Sequence, residues 1–450
     1  MNPPGLRRAL TFLPCFAIVI GGMLGTGVYL RSALIAQQLG SAPLVLAAWA
    51  AAGVLSMAGA LTYAELAARL PHTGGEYAFL REAFGPRSAF LFGWTRIIVG
   101  TASQAAVAVG FATFLSTLTP ALLSYKPLMA SVAIVVLTAL NCFGVVAGGR
   151  AQTVLTAAKV VAVCGLVLGA LMFAPAVSVE GLFAESSVRT TQQGTLASFG
   201  AGMIGALWAF AGWANLPMAA GEVVAPEKTL PRAIVGGALT VTAIYLAVNA
   251  TYFLVLPFDA VAASNSVAHP EAPSVGARAA QAFLGREATA ILLVAFAVSA
   301  FGTLNSMLLT TARIGYAMAR DGWMPRVFAY VGPASGAPVA AIAGLGAFTV
   351  ALALAGSLDR LATGATLGYW VFHVACGAAF FLIRARGTGD SAAFRVPGYP
   401  FVPGVFVAAG AVLVGTSFWT SPIEARWVAL VIAAGIPASW VFQRKLSRQG

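Results

Sequence analysis

The chain has 450 residues, of which 59% are hydrophobic and 9% charged, with a formal net charge of +12. A soluble domain carries closer to about 25% charged residues, and no polar stretch here is long enough to build one, so a water-soluble enzyme or scaffold is excluded. Nucleic-acid binding is excluded too, because the basic residues are scattered through short loops rather than gathered along one polar face.

Long uncharged runs recur, each near the roughly 20 residues a helix needs to cross hydrocarbon. They predict an all-α polytopic membrane protein with spans over 12–37, 41–69, 84–118, 127–147, 151–174, 193–221, 231–256, 281–318, 336–357, 360–384, 402–420 and 423–443. Proline and glycine mark many joints, as in PHTGG at 71–75, GPR at 85–87 and VPGYPFVPG at 396–404. The first apolar run lacks a small-residue cleavage site, so no cleavable signal is expected. Pairs such as Arg7 and Arg8, Arg81 and Arg87, Lys228 and Arg232, Arg384 and Arg386 fall on the side of the N-terminus. The positive-inside rule therefore predicts that both termini are cytoplasmic.

The first span weakens itself. VIGGMLGTGVYL at 19–30 places Gly21, Gly22, Gly25 and Gly27 within seven positions. Glycine costs a helix about 1 kcal/mol relative to alanine, and in lipid a broken helix leaves backbone groups that need partners. Close helix packing is one explanation. The sixth span supplies another, because LWAFAGWANLPMAAGE at 207–222 is interrupted by Gly212 and Pro217. Five spans separate the two interruptions, so the second set of five enters the membrane from the opposite side. That predicts inverted repeats over 12–174 and 193–384, followed by a helix pair over 402–443. Freed N–H groups at such breaks suit a carboxylate and freed carbonyls suit an ammonium. Together they describe an amino acid zwitterion.

Lys159 lies in the middle of the fifth span, in VLTAAKVVAVCG at 154–165, with no carboxylate within a helical turn. An intramembrane lysine is costly and functional by default. Snorkelling is strained, since about nine residues, or roughly 13 Å, separate it from the loop at Gly148–Arg150.

All fourteen acidic residues lie in loops or at span ends, so none is placed to neutralise a cationic side chain at the midplane. A neutral substrate is favoured; a cation over Trp208 is the alternative, and an acidic substrate has no partner apart from Lys159. Glu65, Arg69, Glu76, Arg81 and Glu82 read either as solvated loop charges or as partners of Arg313 or Arg320 in an inner gate. Cys15, Cys142, Cys164 and Cys376 read as small core residues rather than a disulfide framework. His72 and His269 are expected in loops, with His373 facing bundle neighbours. Their spacing fits no metal site, and no metal or cofactor is expected. Without HExxH, GxSxG or paired intramembrane carboxylates, an intramembrane enzyme has no support. Asn249-Ala-Thr251 fits the glycosylation pattern but falls inside a span.

Four longer stretches carry a family likeness. GMLGTGVY at 22–29 resembles the first-helix signature of the amino acid–polyamine–organocation (APC) superfamily. YAELAARLPHTGGEYAFLREAFGPRSAFLFGW at 63–94 and GEVVAPEKTLPRAI at 221–234 resemble its later segments, and FGTLNSMLLTTARIGYAMARDGWMP at 301–325 is similar to the L-amino acid transporter branch. The resemblance implies the leucine-transporter fold, five plus five inverted helices and two more, and sodium-independent secondary transport by exchange or proton coupling. The runner-up readings are a cationic amino acid or polyamine exchanger and a non-transporting sensor.

Carried over position by position, the resemblance implies Thr26, Gly27 and Gly25 around the substrate carboxylate. It implies main-chain carbonyls of Met23, Trp208 and Ala211 for the amino group, with alanine at 211 where relatives often have glycine. Trp208 stands at an aromatic gate, with Phe210, Met307, Ser103 and Gln104 in the gate or side-chain pocket. Lys159 would replace a bound sodium ion, touching carbonyls near Gly21 and a hydroxyl on helix 8, Ser299 first and Thr303 second. Relatives in this branch often join a heavy chain through a cysteine between helices 3 and 4. TPALLSYKP at 119–127 has none, so no disulfide-linked heavy chain is expected. The expected partners are an amino acid and the lipid bilayer, with the oligomeric state open. Four lysines (Lys126, Lys159, Lys228, Lys445) against abundant arginine suggest a bacterial inner membrane.

Overall fold

The computed structural model describes residues 5–185, 195–264, 266, 272–285, 288–355, 359–389, 394–420 and 422–446. His269, with Glu271, Glu287 and Asp390, lies outside them. The first crossing is two helices, α1 (Phe12–Met23) and α2 (Gly27–Leu39), parted by Leu24, Gly25 and Thr26. Then come α3 (Ala42–Arg69), a short α4 (Glu76–Phe84), α5 (Pro86–Leu118), α6 (Lys126–Cys142) and α7 (Val145–Phe173). The sixth crossing is α8 (Thr195–Phe210), an open turn, and a 3-10 helix over Leu216–Glu222. It is followed by α9 (Pro226–Val255), the short α10 (Phe258–Ala262) and α11 (Val275–Leu284), and α12 (Ala288–Arg320). The chain closes with α13 (Val339–Ala355), α14 (Asp359–Ala385), α15 (Phe401–Thr420) and α16 (Pro422–Leu446).

Among the described residues, 10 helical stretches are long and apolar enough to cross a membrane. Two shorter apolar helices, Ser198–Phe210 and Val339–Ala355, account for the other expected spans. The first of these is short because its crossing is interrupted. Two boundaries differ from the sequence reading. The run beginning at 84 is preceded by a separate helix, α4, and the run beginning at 281 divides into α11 and α12 around Gly285.

The interrupted first crossing is the centre of the packing. α1 lies against α7, α9 and α12, α2 lies against α8, and α3 runs along α9. Ile18, Val19, Val28, Trp49 and Tyr245 are fully buried there. Apolar residues on the outer helices are instead exposed, such as Val161, Leu168 and Met172 on α7 and Val412 and Trp419 on α15. That is the lipid-facing surface, where burying one more leucine gains little over lipid contact. Cys15 and Cys376 are buried, but Cys164 is exposed and Cys142 half-buried, and all four are free. The core reading fails for Cys164 because it shares the outward face of α7 with Val161 and Leu168, at helical spacing.

The end of the bundle that carries the N-terminus is closed by backbone and charge. The amides of Ala9 and Leu10 donate to the Glu222 carbonyl at 2.8 and 2.9 Å, and Val224 N donates back to Leu10 O at 2.9 Å. Below this, Arg313 holds the Glu222 carboxylate through two bonds, Nε at 2.6 Å and Nη2 at 3.0 Å, with both side chains fully buried. The expected partners of Arg313 are therefore corrected. Glu65 binds Arg69 and Arg384 instead, Arg81 binds Asp321, and Glu76 binds His373. Glu82 is exposed, its backbone carbonyl accepting from Arg386. The reason is distance along the chain: Glu222 follows the sixth crossing and is carried to α12 only by the fold.

Candidate functional site

The two interruptions touch. α1 ends with Leu24 N bonded to Ile20 O at 2.6 Å, and Gly25 N turns back to Met23 O at 2.8 Å. α2 restarts at Gly27, and Thr26 provides no side-chain cap. The first amides of α2, at Gly27 and Val28, therefore lack partners within their own helix. In the sixth crossing the chain turns at Gly212, whose φ of +143 disfavours any side chain. Asn215 N then bonds Gly212 O at 3.1 Å. A Cβ on Gly212 would lie 2.5 Å from the Gly22 carbonyl carbon and 2.7 Å from its oxygen. Close packing and unwinding are thus one device: the absent side chains let the two breaks cross.

That crossing brings Gly25, Thr26 and Gly27 beside Trp208. A Cβ on Gly27 would sit 2.6 Å from Ala209 Cβ and 3.2 Å from Trp208 Cζ3. Thr26 and Trp208 are both half-buried. The Arg31 guanidinium, one helical turn along α2, lies 4.5 Å from the centre of the Trp208 ring. An uncapped helix N-terminus, a half-buried threonine and an aromatic lid form an anion-accepting corner.

The carbonyls are more heavily used than the sequence reading supposed. Met23 O accepts from Gly25 N and also from Tyr245 OH at 2.6 Å, which occupies both of its lone pairs. Trp208 O accepts one bond, from Ala211 N at 3.3 Å, and keeps capacity for another. Tyr245 OH also lies 3.0 Å from Ala209 O, so a single hydroxyl proton bridges both breaks, serving one carbonyl at a time. Sequence reasoning missed this residue. Its signal was a polar stripe at i, i+4 and i+7 on an apolar span: Tyr245, Asn249 and Tyr252. Asn249 Oδ1 accepts from Ser32 on α2 at 2.6 Å, and Tyr252 OH donates to Val28 O at 3.3 Å. The buried Asn249 is a structural strut.

Lys159 reaches the first break from α7. Its Nζ donates to Gly21 O at 2.8 Å, Leu24 O at 3.0 Å and Thr303 Oγ1 at 2.9 Å, which uses all three of its protons. It is 1% exposed. Thr303, and not Ser299, supplies the hydroxyl. Ser299 lies one turn earlier on α12 and donates to Leu24 O at 3.2 Å instead. Thr156 and Ser306 also donate to α1, at Ala17 O (2.9 Å) and Ile18 O (3.0 Å). α1 is thus fastened to α7 and α12 by hydrogen bonds along its length.

The remaining pocket candidates divide. Met307 is buried on α12, in the chain's helix that also bears Thr303, and Ser103 is half-buried on α5. Gln104 turns away from the breaks, its Oε1 accepting from Thr349 on α13 at 3.3 Å. Phe210 is also corrected as a pocket residue: it is buried against Trp49 and Tyr245, with ring centres 6.1 and 5.0 Å away. The helix is still regular at Phe210, so its side chain points into the α3–α9 packing rather than into the break.

Comparison with known proteins agrees with this architecture. The profile of the family described as "Amino acid permease" matches residues 10–438. The serine/threonine exchanger SteT of Bacillus subtilis is 29% identical over 98% of both chains. The human cystine/glutamate transporter is 28% identical over 98% of this chain and 87% of its own. The mouse b(0,+)-type amino acid transporter 1 is 28% identical over 98% and 89%.

Proposed function

The chain belongs to the amino acid permease family, within the APC superfamily, and is a multi-pass amino acid transporter; from that premise we propose that it carries neutral L-amino acids, independently of sodium, by alternating access. The substrate carboxylate binds at Gly25, Thr26 and Gly27, held by the Thr26 hydroxyl and the uncapped amide of Gly27 at the start of α2. Its ammonium binds the carbonyls of Trp208 and Ala211, and Trp208 closes over it. Met23 O joins the ammonium site only when Tyr245 releases it. The two halves, 12–174 and 193–384, act as inverted repeats that rock around this fixed centre.

One observation carries the sodium-independent reading. The Lys159 ammonium sits between the Gly21 and Leu24 carbonyls and Thr303, where it supplies the positive charge that a coupling ion would otherwise bring. The substrate preference is supported by the absence of a described carboxylate facing the breaks and by Arg31 on the Trp208 ring, which repels a cationic side chain there. The name of the serine/threonine exchanger points the same way. Cytoplasmic termini, a bacterial inner membrane and assembly without a disulfide-linked heavy chain complete the proposal.

The test is uptake of radiolabelled amino acids into proteoliposomes, with sodium replaced by choline and with internal substrate present or absent. Saturable uptake of neutral amino acids that is unchanged in choline is the expected result. Binding without flux would make the protein a sensor, and dependence on sodium would remove the role assigned to Lys159.

A further inference from the structure

A second polar centre lies apart from the substrate site, between α3, α4, α5 and α14. Glu76, the first residue of α4, is 1% exposed. Its Oε1 accepts from Tyr63 OH at 2.7 Å and from His373 Nδ1 at 2.9 Å, and Tyr63 OH and His373 Nδ1 are themselves 2.9 Å apart. The Cys376 thiol flanks Tyr63. Arg96 faces the same carboxylate from α5. Its guanidinium stacks 4.0 Å from the centre of the Tyr369 ring, and its Nη2 donates to Asn215 Oδ1 at 2.7 Å. Asn215 belongs to the break in the sixth crossing, and its amide nitrogen lies 3.4 Å from where a Cβ on Gly22 would be. Arg96 therefore stands between this centre, whose carboxylate it faces, and the crossing of the two breaks, which it reaches through Asn215.

The centre is incomplete as it stands. Glu76, Arg96, Thr95 and Tyr369 line one small cleft with room for a water-sized guest. Glu76 Oε2, Arg96 Nε, Thr95 Oγ1 and Tyr369 OH have no hydrogen-bond partner among the described residues. Left dry, each such group is a net cost to the fold. The four are complementary: one acceptor, one donor and two hydroxyls that do either. A water in the cleft would satisfy them and bridge Glu76 to Arg96.

We propose that Glu76 and His373, with water in this cleft, form a proton-binding site separate from Lys159, whose occupancy sets how firmly Arg96 holds the break at Asn215. The inference rests on the transport reading above. With the site unprotonated, the Glu76 carboxylate and Arg96 balance each other. An added proton, taken from water and shared within the hydrogen-bonded pair, leaves one net positive charge among Glu76, His373 and Arg96. Protonation weakens the pull of Glu76 on the guanidinium, and Arg96 shifts its hydrogen bonding toward Asn215. Tyr63, Tyr369 and Cys376 are the other titratable side chains facing Glu76. Only Arg96 adds a fixed charge.

The test pairs a spectroscopic titration with flux. Infrared difference spectra of the purified full chain between pH about 5 and 8 should show a protonated-carboxyl or imidazole change that is lost in Glu76→Gln and altered in the milder Tyr63→Phe. In proteoliposomes with equal pH on both sides, wild-type exchange should change about fivefold across that range, and His373→Gln by less than about twofold. A wild-type pH profile in folded Glu76→Gln and His373→Gln, with the infrared change intact, overturns the proposal. Lack of flux with every amino acid, with the Glu76 band present, defeats the transport reading and leaves the proton site standing.

Discussion

Replacing Lys159 with methionine keeps the aliphatic stem and removes the ammonium, which separates the charge from the packing. The loss comprises three charge-assisted hydrogen bonds, each about 1.5–3 kcal/mol. Against this stands the desolvation cost of a buried ion, itself several kcal/mol, which the substitution removes. The stranded acceptors are not left bare: Gly21 O keeps Thr303 Oγ1 at 3.2 Å, and Leu24 O keeps Ser299 Oγ at 3.2 Å. The opposing contributions leave the change in folding stability within about 2 kcal/mol. Transport responds differently, because only the ammonium draws the Gly21 and Leu24 carbonyls toward one point. Losing about 1.4 kcal/mol or more of preference for the binding-competent break lowers apparent affinity about tenfold or more. Melting of the purified variant and substrate exchange in proteoliposomes measure the two effects separately. Wild-type exchange in a normally folded Lys159→Met protein would refute the reasoning.

Three further outcomes follow from the same contacts. Gly27→Val places a branched side chain where even a Cβ would lie 2.6 Å from Ala209, so substrate binding measured by calorimetry should disappear; retained affinity would move the carboxylate site elsewhere. Glu222→Gln should destabilise the protein by about 3–5 kcal/mol by leaving Arg313 buried without its counter-charge, and adding Arg313→Met should recover much of that in a melting assay. Tyr245→Phe leaves Ala209 O without its hydroxyl partner, a cost of about 1–3 kcal/mol. It also frees Met23 O, so binding titrations should show altered affinity; unchanged affinity would remove Tyr245 from the gating of that carbonyl.

Residue order made the membrane class and the places of interruption legible. Hydropathy runs need no tertiary partner to be recognised, because the bilayer imposes their length on each span separately. Gly25 and Gly212 announced their breaks because a glycine within a lipid-spanning helix is an unforced local cost. Lys159 was legible for a similar reason: a charge in an apolar run is conspicuous whatever surrounds it.

Partner choice was not legible. Ser299 and Thr303 stand one turn apart on the same helix, and a shift in height between α7 and α12 settles which one meets the ammonium. Phe210 follows Trp208 by two residues, yet it points into the packing while Trp208 faces the break. Arg313 finds Glu222 rather than Glu65, and Tyr245 reaches two carbonyls from a span that hydropathy marks only as apolar. Local sequence records what each segment must satisfy within the bilayer. Which group satisfies it depends on how helices distant in the chain align in depth and rotation, and that arises only when all of them pack at once.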